Sequence, residues 1–448
     1  MEPSTPAEQW GSQRAFILAT VGAAVGLGNI WRFSYVAGEN GGATFLFVYL
    51  LCVAVVGLPI VIAELAIGRH SRGDAVAAIR KIAPEGFWQM AGALGVLGSF
   101  LIMSFYLVIS GWALRYFVGA VDGSLWRIAG ADYGGFFEAF IAGTAQPLFW
   151  QAAVMVAGSA VVAAGVQNGI EKLTGILMPL LAAIVVGLAI YGLTHKGGAQ
   201  GLKFLFSPKW ELLARPDIYL AALGQAFFSL SIGMALFITY GGYLARRHRI
   251  PGSALAVALG DTLMAVFAGM AIFPAVFAFG LDPGTGPRLV FITLPQLFLS
   301  MDGGRVVGIL FFFLLAAAAL SASISGLEVV TAYVLRRLGM RRPVAAFIVG
   351  FGIFLAGVPA SLGYGIWRDV RWGERGILES MDYMVSNAIL PVAGLLVACL
   401  VGWRWGRPTA LRESDLGETV IGRCWLWSLR VLAPILIVAV FLRGVGAI

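Results

Sequence analysis

Polar residues interrupt the first long apolar stretch of the chain, which contains the sequence VGAAVGLGNIWRF. Asn29 and Arg32 follow a cluster of three glycines, Gly22, Gly26 and Gly28. An amide inside an apolar helix needs partners and is a functional candidate by default. Glycines at this density allow a helix to open, which frees carbonyl groups for a cation and amide groups for a carboxylate. Gly-x-x-x-Gly spacing alone is also typical of helix packing, so this alternative stays open.

Three further apolar stretches carry oxygen atoms that could complete a cation site. Asp261 lies in ALGDTLMAVFAG, where a carboxylate in apolar surroundings favours a cation partner. Ser321 and Ser323 offer hydroxyl ligands, or they bond back to the preceding turn of their own helix. Tyr106 is either an ordinary core or interfacial aromatic residue or a hydroxyl group that faces the site.

Membrane-spanning helices must position these residues, because the chain is far more apolar than a soluble domain. Of its 448 residues, 59% are hydrophobic and 12% charged, and the mean hydropathy is +0.87. The sequence predicts an all-α polytopic membrane protein with eleven transmembrane helices, each long enough for a hydrocarbon core that needs about 20 helical residues. The apolar runs lie at about 15–37, 43–66, 90–118, 148–165, 173–194, 217–244, 253–280, 304–335, 343–365, 380–402 and 424–446.

The chain has a net charge of +8, and the placement of its basic residues indicates the membrane topology. Basic residues follow the even-numbered runs, as at Arg69, Arg246, Arg336 and Arg404. Such residues concentrate in cytoplasmic loops, so we expect the N-terminus in the cytoplasm and, with eleven spans, the C-terminus outside. The same distribution argues against a nucleic-acid partner.

A second interrupted run occupies the matching place in the second half of the chain. The sixth run reads GQAFFSLSIGMALFITY, with Ser229, Ser231 and Gly233 near its centre. If the chain consists of two five-helix halves, the odd number of helices inverts the second half. Paired breaks in inverted halves then indicate the midplane binding site of a transporter. We expect one transmembrane domain over 1–448, with inverted repeats at about 10–200 and 215–403 and an extra helix at about 424–446.

Other functional classes find less support in the sequence. The spans contain no pattern of a nucleophile with its base and no cluster of metal-ligating residues, so the sequence does not predict an enzyme. A nucleotide-binding P-loop is also missing, which argues against nucleotide binding and direct ATP drive.

Five stretches of the chain resemble the neurotransmitter:sodium symporters. They read GAAVGLGNIWRF, ENGGATFLFVYL, GLPIVIAELAIGR, NGIEKLTGILMP and ALGQAFFSLSIGMALFITYGGYL. The similarity runs from about Trp10 to the last helix. Eleven rather than twelve spans looks most like the bacterial multi-hydrophobic amino-acid transporters. The resemblance implies the leucine-transporter-like fold, in which helices 1 and 6 are broken.

The resemblance implies a substrate site at the two breaks. The amides of Leu27 and Gly28 and the hydroxyl of Tyr106 would meet the carboxylate of the substrate. Oxygens of four residues would meet its ammonium group: Ala24, Phe228, Ser229 and Ser231. The side-chain pocket would be lined by Ile102, Tyr106, Phe228, Met234 and Gly326, an apolar set in which Gly326 leaves room for larger groups. A hydrophobic or aromatic L-amino acid is the expected substrate.

The resemblance also implies two sodium ions. The first would be held by the Ala24 carbonyl, Asn29, Ser229 and Asp261. The second would be held by the carbonyls of Gly22, Val25 and Ala318 and by the Ser321 hydroxyl.

Two departures from the family bear on these ions. Many relatives have a second hydroxyl at the position of Ala322, so either Ser323 or water substitutes for it or the second sodium binds more weakly. Position 261 is more often Asn in animal relatives, whereas Asp261 supplies the charge that chloride provides there. We therefore expect transport that does not require chloride.

The resemblance implies a gate on each side of the site. Arg32 and Asp382 would pair across an outer vestibule with Gln225 nearby, over a lid formed by Phe228 and Tyr106.

On the inner side, the arginine–aspartate gate of the leucine-transporting relative is missing, because the matching positions carry Ala7 and Arg336. Trp10 and Tyr243 are the residues expected to contribute to inner closure instead. Glu328, like Glu64, is expected to be a structural hydrogen-bonding anchor.

These observations together predict a sodium-coupled symporter that imports hydrophobic or aromatic L-amino acids by alternating access. Its expected location is the bacterial cytoplasmic (inner) membrane, and its expected partners are the amino acid, sodium ions and the lipid bilayer. A non-transporting amino-acid receptor or a channel on the same scaffold is the alternative.

Overall fold

The structure is a computed structural model that describes residues 8–194, 197–278, 280, 289–301 and 303–444. Within these ranges the chain forms helices joined by turns, without a β-strand. The spanning helices are α1 (Gln13–Ala24), α2 (Gly28–Glu39), α3 (Ala43–Ser71), α4 (Gly86–Asp122), α5 (Ala145–Ala163), α6 (Val166–Leu193), α7 (Pro216–Ser229), α8 (Leu236–Gly242), α9 (Ile250–Ala278), α10 (Gly304–Leu338), α11 (Arg342–Leu362), α12 (Ile377–Arg404) and α13 (Val420–Gly444). The main connecting helices are Ala75–Ile82, Tyr133–Ala142, Gly198–Phe206, Leu294–Ser300 and Arg407–Glu413.

Ten of the eleven predicted spans are matched by described helices that are long and apolar enough to cross a membrane, if one bent pair counts as a single span. Nine of the described helices are each long and apolar enough to cross a membrane. A tenth span consists of α1 and α2, which are bent by 56° across a short break. Two shorter helices, α7 and α8, lie where the sequence predicts the sixth span, and they flank a second break. The first and sixth predicted spans are therefore the broken ones, as predicted. The chain is therefore a polytopic all-α membrane protein, while the boundaries of its two inverted repeats stay a prediction.

The first break is formed by local backbone chemistry. Helix α1 ends because Val25 adopts an extended conformation, with φ −72° and ψ 107°. The side-chain oxygen of Asn29 then accepts a hydrogen bond of 3.0 Å from the amide of Gly26. This bond satisfies a backbone donor that the interrupted helix leaves free. The residue that looked anomalous in the sequence therefore stabilises the break.

The second break depends on left-handed residues. Ser231, Gly233 and Ala235 have φ values of 51°, 79° and 57°. A right-handed helix cannot pass through such residues, so the segment between α7 and α8 stays non-helical. The Gly233 amide donates a 3.0 Å hydrogen bond to the carboxylate of Glu64, which is fully buried on α3. Glu64 thus has the anchoring contact that the sequence predicted for it.

Helix packing holds both breaks at the centre of the molecule. The two longest helices, α4 and α10, pack against each other, and α1 contacts α6, α9 and α10. Helices α3 and α8 approach so closely that a Cβ atom at Gly68 would lie 2.0 Å from the carbonyl oxygen of Ile238. Only glycine permits this approach, which fixes the second broken helix against α3.

Candidate functional site

A cavity of about 40 Å³ lies between the two helix breaks. Nine of the ten residues predicted for the substrate site line it: Ala24, Gly28, Ile102, Tyr106, Phe228, Ser229, Ser231, Met234 and Gly326. A water molecule needs about 10–15 Å³ of accessible volume, so the cavity has room for a few waters. It must widen around a larger molecule.

The tenth residue, Leu27, contacts the cavity wall through its backbone. Its amide donates a 3.0 Å hydrogen bond to the Tyr106 hydroxyl. Its remaining atoms line a second, larger cavity of about 350 Å³. Tyr106 and Phe228 line both cavities, so their rings lie between the two spaces. This is the position expected of a lid.

Six further residues line the pocket that were not predicted to do so from the sequence: Ala23, Gly26, Met103, Leu236, Ala322 and Leu390. Met103 is the most informative of them, because a Cβ atom at Gly326 would lie 2.5 Å from its sulfur. Gly326 has no side chain, and the Met103 side chain occupies the space beside it. No sequence signal links these two residues, since they lie on separate helices more than 200 residues apart.

Beside the pocket, four buried side chains form a polar cluster that joins α2, α3, α7 and α9. The amide nitrogen of Asn29 donates hydrogen bonds to the Asp261 carboxylate at 2.6 Å and to the Ser229 hydroxyl at 3.2 Å. Ser229 donates to the other carboxylate oxygen of Asp261 at 2.7 Å. Tyr49, which sequence reasoning missed, also donates to this oxygen, at 3.3 Å. The structure thus brings the three predicted side chains of the first sodium site into direct contact.

The predicted second sodium site joins α1 to α10. The Ser321 hydroxyl donates a 2.8 Å hydrogen bond to the carbonyl oxygen of Gly22, across 299 residues of sequence. Val25 ends α1 beside them, and Ala318 is fully buried one turn before Ser321. Ser323 instead donates to the Ala319 carbonyl of its own helix at 2.8 Å. Its hydroxyl is therefore engaged in the local bond that the sequence left open as an alternative.

The outer gate differs from the implied pair of Arg32 and Asp382. The Arg32 guanidinium donates a 3.1 Å hydrogen bond to Gln225 and lies 4.4 Å from the ring centroid of Phe228. Asp382 accepts a hydrogen bond of 2.9 Å from Ser386. In the described part of the chain these two side chains form no ion pair, although both line the larger cavity.

The end of the bundle that contains Trp10, which is the predicted inner end, is closed by contacts of this residue. The Trp10 indole donates a 3.0 Å hydrogen bond to the carbonyl of Tyr240, and its backbone amide donates to the carbonyl of Tyr243 at 3.1 Å. The Trp10 ring also meets the rings of Phe16, Tyr240 and Tyr243 edge to face. Both residues predicted for inner closure thus lie in one aromatic cluster.

An ion network that the sequence did not reveal surrounds this cluster. Arg342 donates two hydrogen bonds to the carboxylate of Glu328, at 2.7 and 3.0 Å, and a further one to Glu8. Glu328 also accepts a 2.6 Å bond from the Tyr243 hydroxyl, which agrees with the anchoring role expected for it. Burial raises the pKa of the Glu8 carboxyl above its ordinary value, although Arg342 acts in the opposite direction.

Arg336, the described one of the two positions compared with the arginine–aspartate gate, takes no part in this network. Arg336 is exposed near the end of α10, and Ala7 lies outside the described residues. An arginine at the start of α11 thus provides the charge at the inner end.

The structure combines broken helices around a central pocket, a buried oxygen-rich cluster beside the pocket and an aromatic closure at one end. This combination is typical of membrane transporters of the inverted-repeat class. The family model of the sodium:neurotransmitter symporter family matches residues 7–133 and 143–447. The chain belongs to this family, and it is a sodium-coupled transporter rather than an enzyme.

Individual relatives agree with this assignment. The chain is 37% identical over 442 residues to the uncharacterized sodium-dependent transporter YhdH of Bacillus subtilis (strain 168), with 98% of each chain covered. It is 31% identical over 448 residues to an uncharacterized sodium-dependent transporter of Haemophilus influenzae, again with 98% of each covered. Among solved structures, MhsT in complex with L-phenylalanine matches with a TM-score of 0.92 and 51% identity, covering 98% of this chain and 99% of that one.

Proposed function

We propose that the protein imports a hydrophobic or aromatic L-amino acid together with sodium, by alternating access. The observation that carries this proposal is the pocket between the helix breaks, which adjoins the Asn29–Ser229–Asp261 cluster. Because Ser229 belongs to both the pocket and the cluster, the proposed sodium site and amino-acid site share a residue. Transport is coupled if an empty sodium site leaves the amino-acid site incomplete.

The ends of the broken helices are suited to the polar part of an amino acid. The amides of Leu27 and Gly28 belong to the start of α2, where backbone N–H groups attract a carboxylate. The Tyr106 hydroxyl, now bonded to the Leu27 amide, is positioned to donate to the same carboxylate. On the other side, oxygens of Ala24, Phe228, Ser229 and Ser231 would bind the ammonium group.

The remaining wall of the pocket favours an apolar side chain. Its predicted lining consists of Ile102, Tyr106, Phe228, Met234 and Gly326, and none of the described residues around the cavity is charged. Methionine side chains are flexible, so rearrangement of Met103 and Met234 would widen the cavity around an aromatic ring. The bound L-phenylalanine of the similar MhsT structure supports this substrate class.

We propose that the first sodium ion binds at the Ala24 carbonyl, Asn29, Ser229 and Asp261. The amide nitrogen of Asn29 now points at Asp261, so its side chain must rotate to present an oxygen to the ion. The Asp261 carboxylate balances the charge of the ion inside the membrane. For this reason transport is expected to proceed without chloride.

The second ion would bind between α1 and α10, at the carbonyls of Gly22, Val25 and Ala318 and the hydroxyl of Ser321. The Ser323 hydroxyl donates to the Ala319 carbonyl of its own helix. We propose that water, rather than Ser323, replaces the hydroxyl that is missing at Ala322. Water would complete the shell, and we expect weaker binding at this site. Each ion that enters contributes about 2.3 kcal/mol per 100 mV of membrane potential.

The two ends of the molecule suggest the direction of transport. The Arg32 end contains the cavity of about 350 Å³, whereas aromatic and ionic contacts close the Trp10 end. With the N-terminus in the cytoplasm and the C-terminus outside, the open cavity faces outward. The substrate would then enter past Arg32, Gln225 and Asp382, cross the lid of Tyr106 and Phe228, and leave when the contacts of Trp10 and Tyr243 separate.

A binding screen tests the substrate class. Purified protein is incubated with each of the twenty amino acids in sodium buffer and in matched potassium buffer. We expect sodium-dependent binding of phenylalanine and other large apolar residues, and no binding of aspartate or lysine. Preferential binding of a charged amino acid would contradict the proposed pocket chemistry.

A further inference from the structure

A groove separate from the transport pathway runs between α3 and the start of α13. It has a volume of about 690 Å³, and Ala54, Leu58 and Ile62 form one wall. Cys424 and Trp427 lie on the opposite wall, and both are exposed. Both walls belong to membrane-spanning helices. The groove therefore opens to the bilayer.

The polar groups deep in this groove bond across it. The Trp425 indole donates a 2.9 Å hydrogen bond to the carbonyl of Pro59, and the Ser428 hydroxyl donates a 2.7 Å bond to the carbonyl of Val55. A buried water needs two to four polar partners. The Trp425 indole, the Ser428 hydroxyl and the two carbonyls are already hydrogen-bonded to each other. The groove therefore suits a hydrocarbon chain better than a water molecule.

A charged group lies at the rim. Arg423 lines the groove and is exposed, and no described carboxylate lies within ion-pair distance of it. Two nearby arginines have such partners: Arg407 lies 2.5 Å from Glu418, and Arg412 lies 3.8 Å from Glu413. A planar guanidinium binds a phosphate oxygen pair well. An apolar groove with one unpaired arginine at its rim complements a lipid with an anionic headgroup.

We propose that this α3–α13 groove binds an anionic phospholipid, with an acyl chain against α3 and the phosphate group at Arg423. The site has a structural consequence, because α3 carries Glu64, which holds the second helix break through Gly233. A lipid in the groove would pack against the helix on which that anchor lies.

Native mass spectrometry of the full chain in detergent tests the proposal. Phosphatidylglycerol and phosphatidylcholine with the same acyl chains are added separately. We expect about fivefold stronger retention of phosphatidylglycerol, the effect of one basic residue near the headgroup. Arg423→Gln should reduce its retention to the level of phosphatidylcholine, whereas Arg337→Gln, an exposed arginine on α10, should leave it unchanged.

Cysteine labelling locates the lipid. In a chain with Cys52→Ala and Cys399→Ala, phosphatidylglycerol should slow maleimide labelling of Cys424, and it should not do so once Arg423→Gln is added.

Equal retention of both lipids, or equal losses in Arg423→Gln and Arg337→Gln, would mean only general lipid contact and would overturn the proposal. Neither readout uses the substrate, so failure here is distinguishable from failure of the transport proposal. Unchanged thermal melting checks that each variant is folded.

Discussion

At the scale of single residues, Asp261 carries the clearest consequence. Its buried carboxylate accepts hydrogen bonds from Asn29, Ser229 and Tyr49. We propose that this carboxylate supplies the negative charge beside the ion, so that transport does not require chloride. We expect Asp261→Asn to lower sodium-driven phenylalanine uptake at least about tenfold in gluconate buffer, because an uncompensated ion in this site costs more than about 1.4 kcal/mol. Chloride should restore part of the uptake.

The controls for this prediction separate charge from folding. Wild-type uptake should be equal in chloride and gluconate, and Asp369→Asn, which changes an exposed carboxylate, should behave as wild type. Abolition of wild-type uptake in gluconate would contradict chloride independence.

A matched pair of serines tests the second sodium site. Ser321→Ala removes the hydroxyl that bonds to Gly22, whereas Ser323→Ala removes one that bonds within its own helix. We expect Ser321→Ala to raise the sodium concentration for half-maximal phenylalanine binding about tenfold, in line with hydrogen-bond contributions near charged groups. Ser323→Ala should change it less than twofold. Equal effects of the two substitutions would remove Ser321 from the proposed ligand set.

At the scale of helices, the second break requires glycine at one position. Gly233 has φ 79°, and a Cβ atom there would lie 2.5 Å from the Leu390 carbonyl oxygen. Gly233→Ala should destabilise the fold by on the order of 1–3 kcal/mol and lower the melting temperature in detergent. Gly224→Ala on α7, where a Cβ atom meets nothing within 4 Å, should leave the melting temperature unchanged or raise it. A similar melting temperature for both variants would contradict the assigned backbone role.

Sequence patterns predicted the helices well because their signals are local. Long apolar runs located the spanning helices, and clustered small and polar residues located both breaks. Contacts between distant segments left no such signal. Tyr49 joins Asp261 across 212 residues, and Arg342 reaches Glu8 across 334. The implied Arg32–Asp382 pair is not formed in this structure and stays a prediction, because a gate contact depends on conformation, which residue identity does not specify.

At the scale of the whole molecule, we expect the Arg342 network to help hold the Trp10 end closed. Arg342→Gln removes the charge that pairs with Glu328 and Glu8, and loss of one partner of a buried ion pair costs about 3–5 kcal/mol. We expect faster hydrogen exchange of the backbone amides of residues 8–12 and weaker phenylalanine binding. Arg337→Gln, which changes an exposed arginine, should alter neither. Unchanged exchange in Arg342→Gln would show that the aromatic cluster alone closes this end.

The most direct test of sodium-coupled import is accumulation in proteoliposomes. Vesicles containing the purified chain are diluted into labelled phenylalanine with an inward sodium gradient and a negative interior potential. We predict uptake that rises above the external concentration and collapses when choline replaces sodium or an ionophore removes the gradient. Sodium-dependent binding without accumulation would indicate a receptor, and flux that only equalises the two concentrations would indicate a channel. Either result would contradict the proposed transport mechanism.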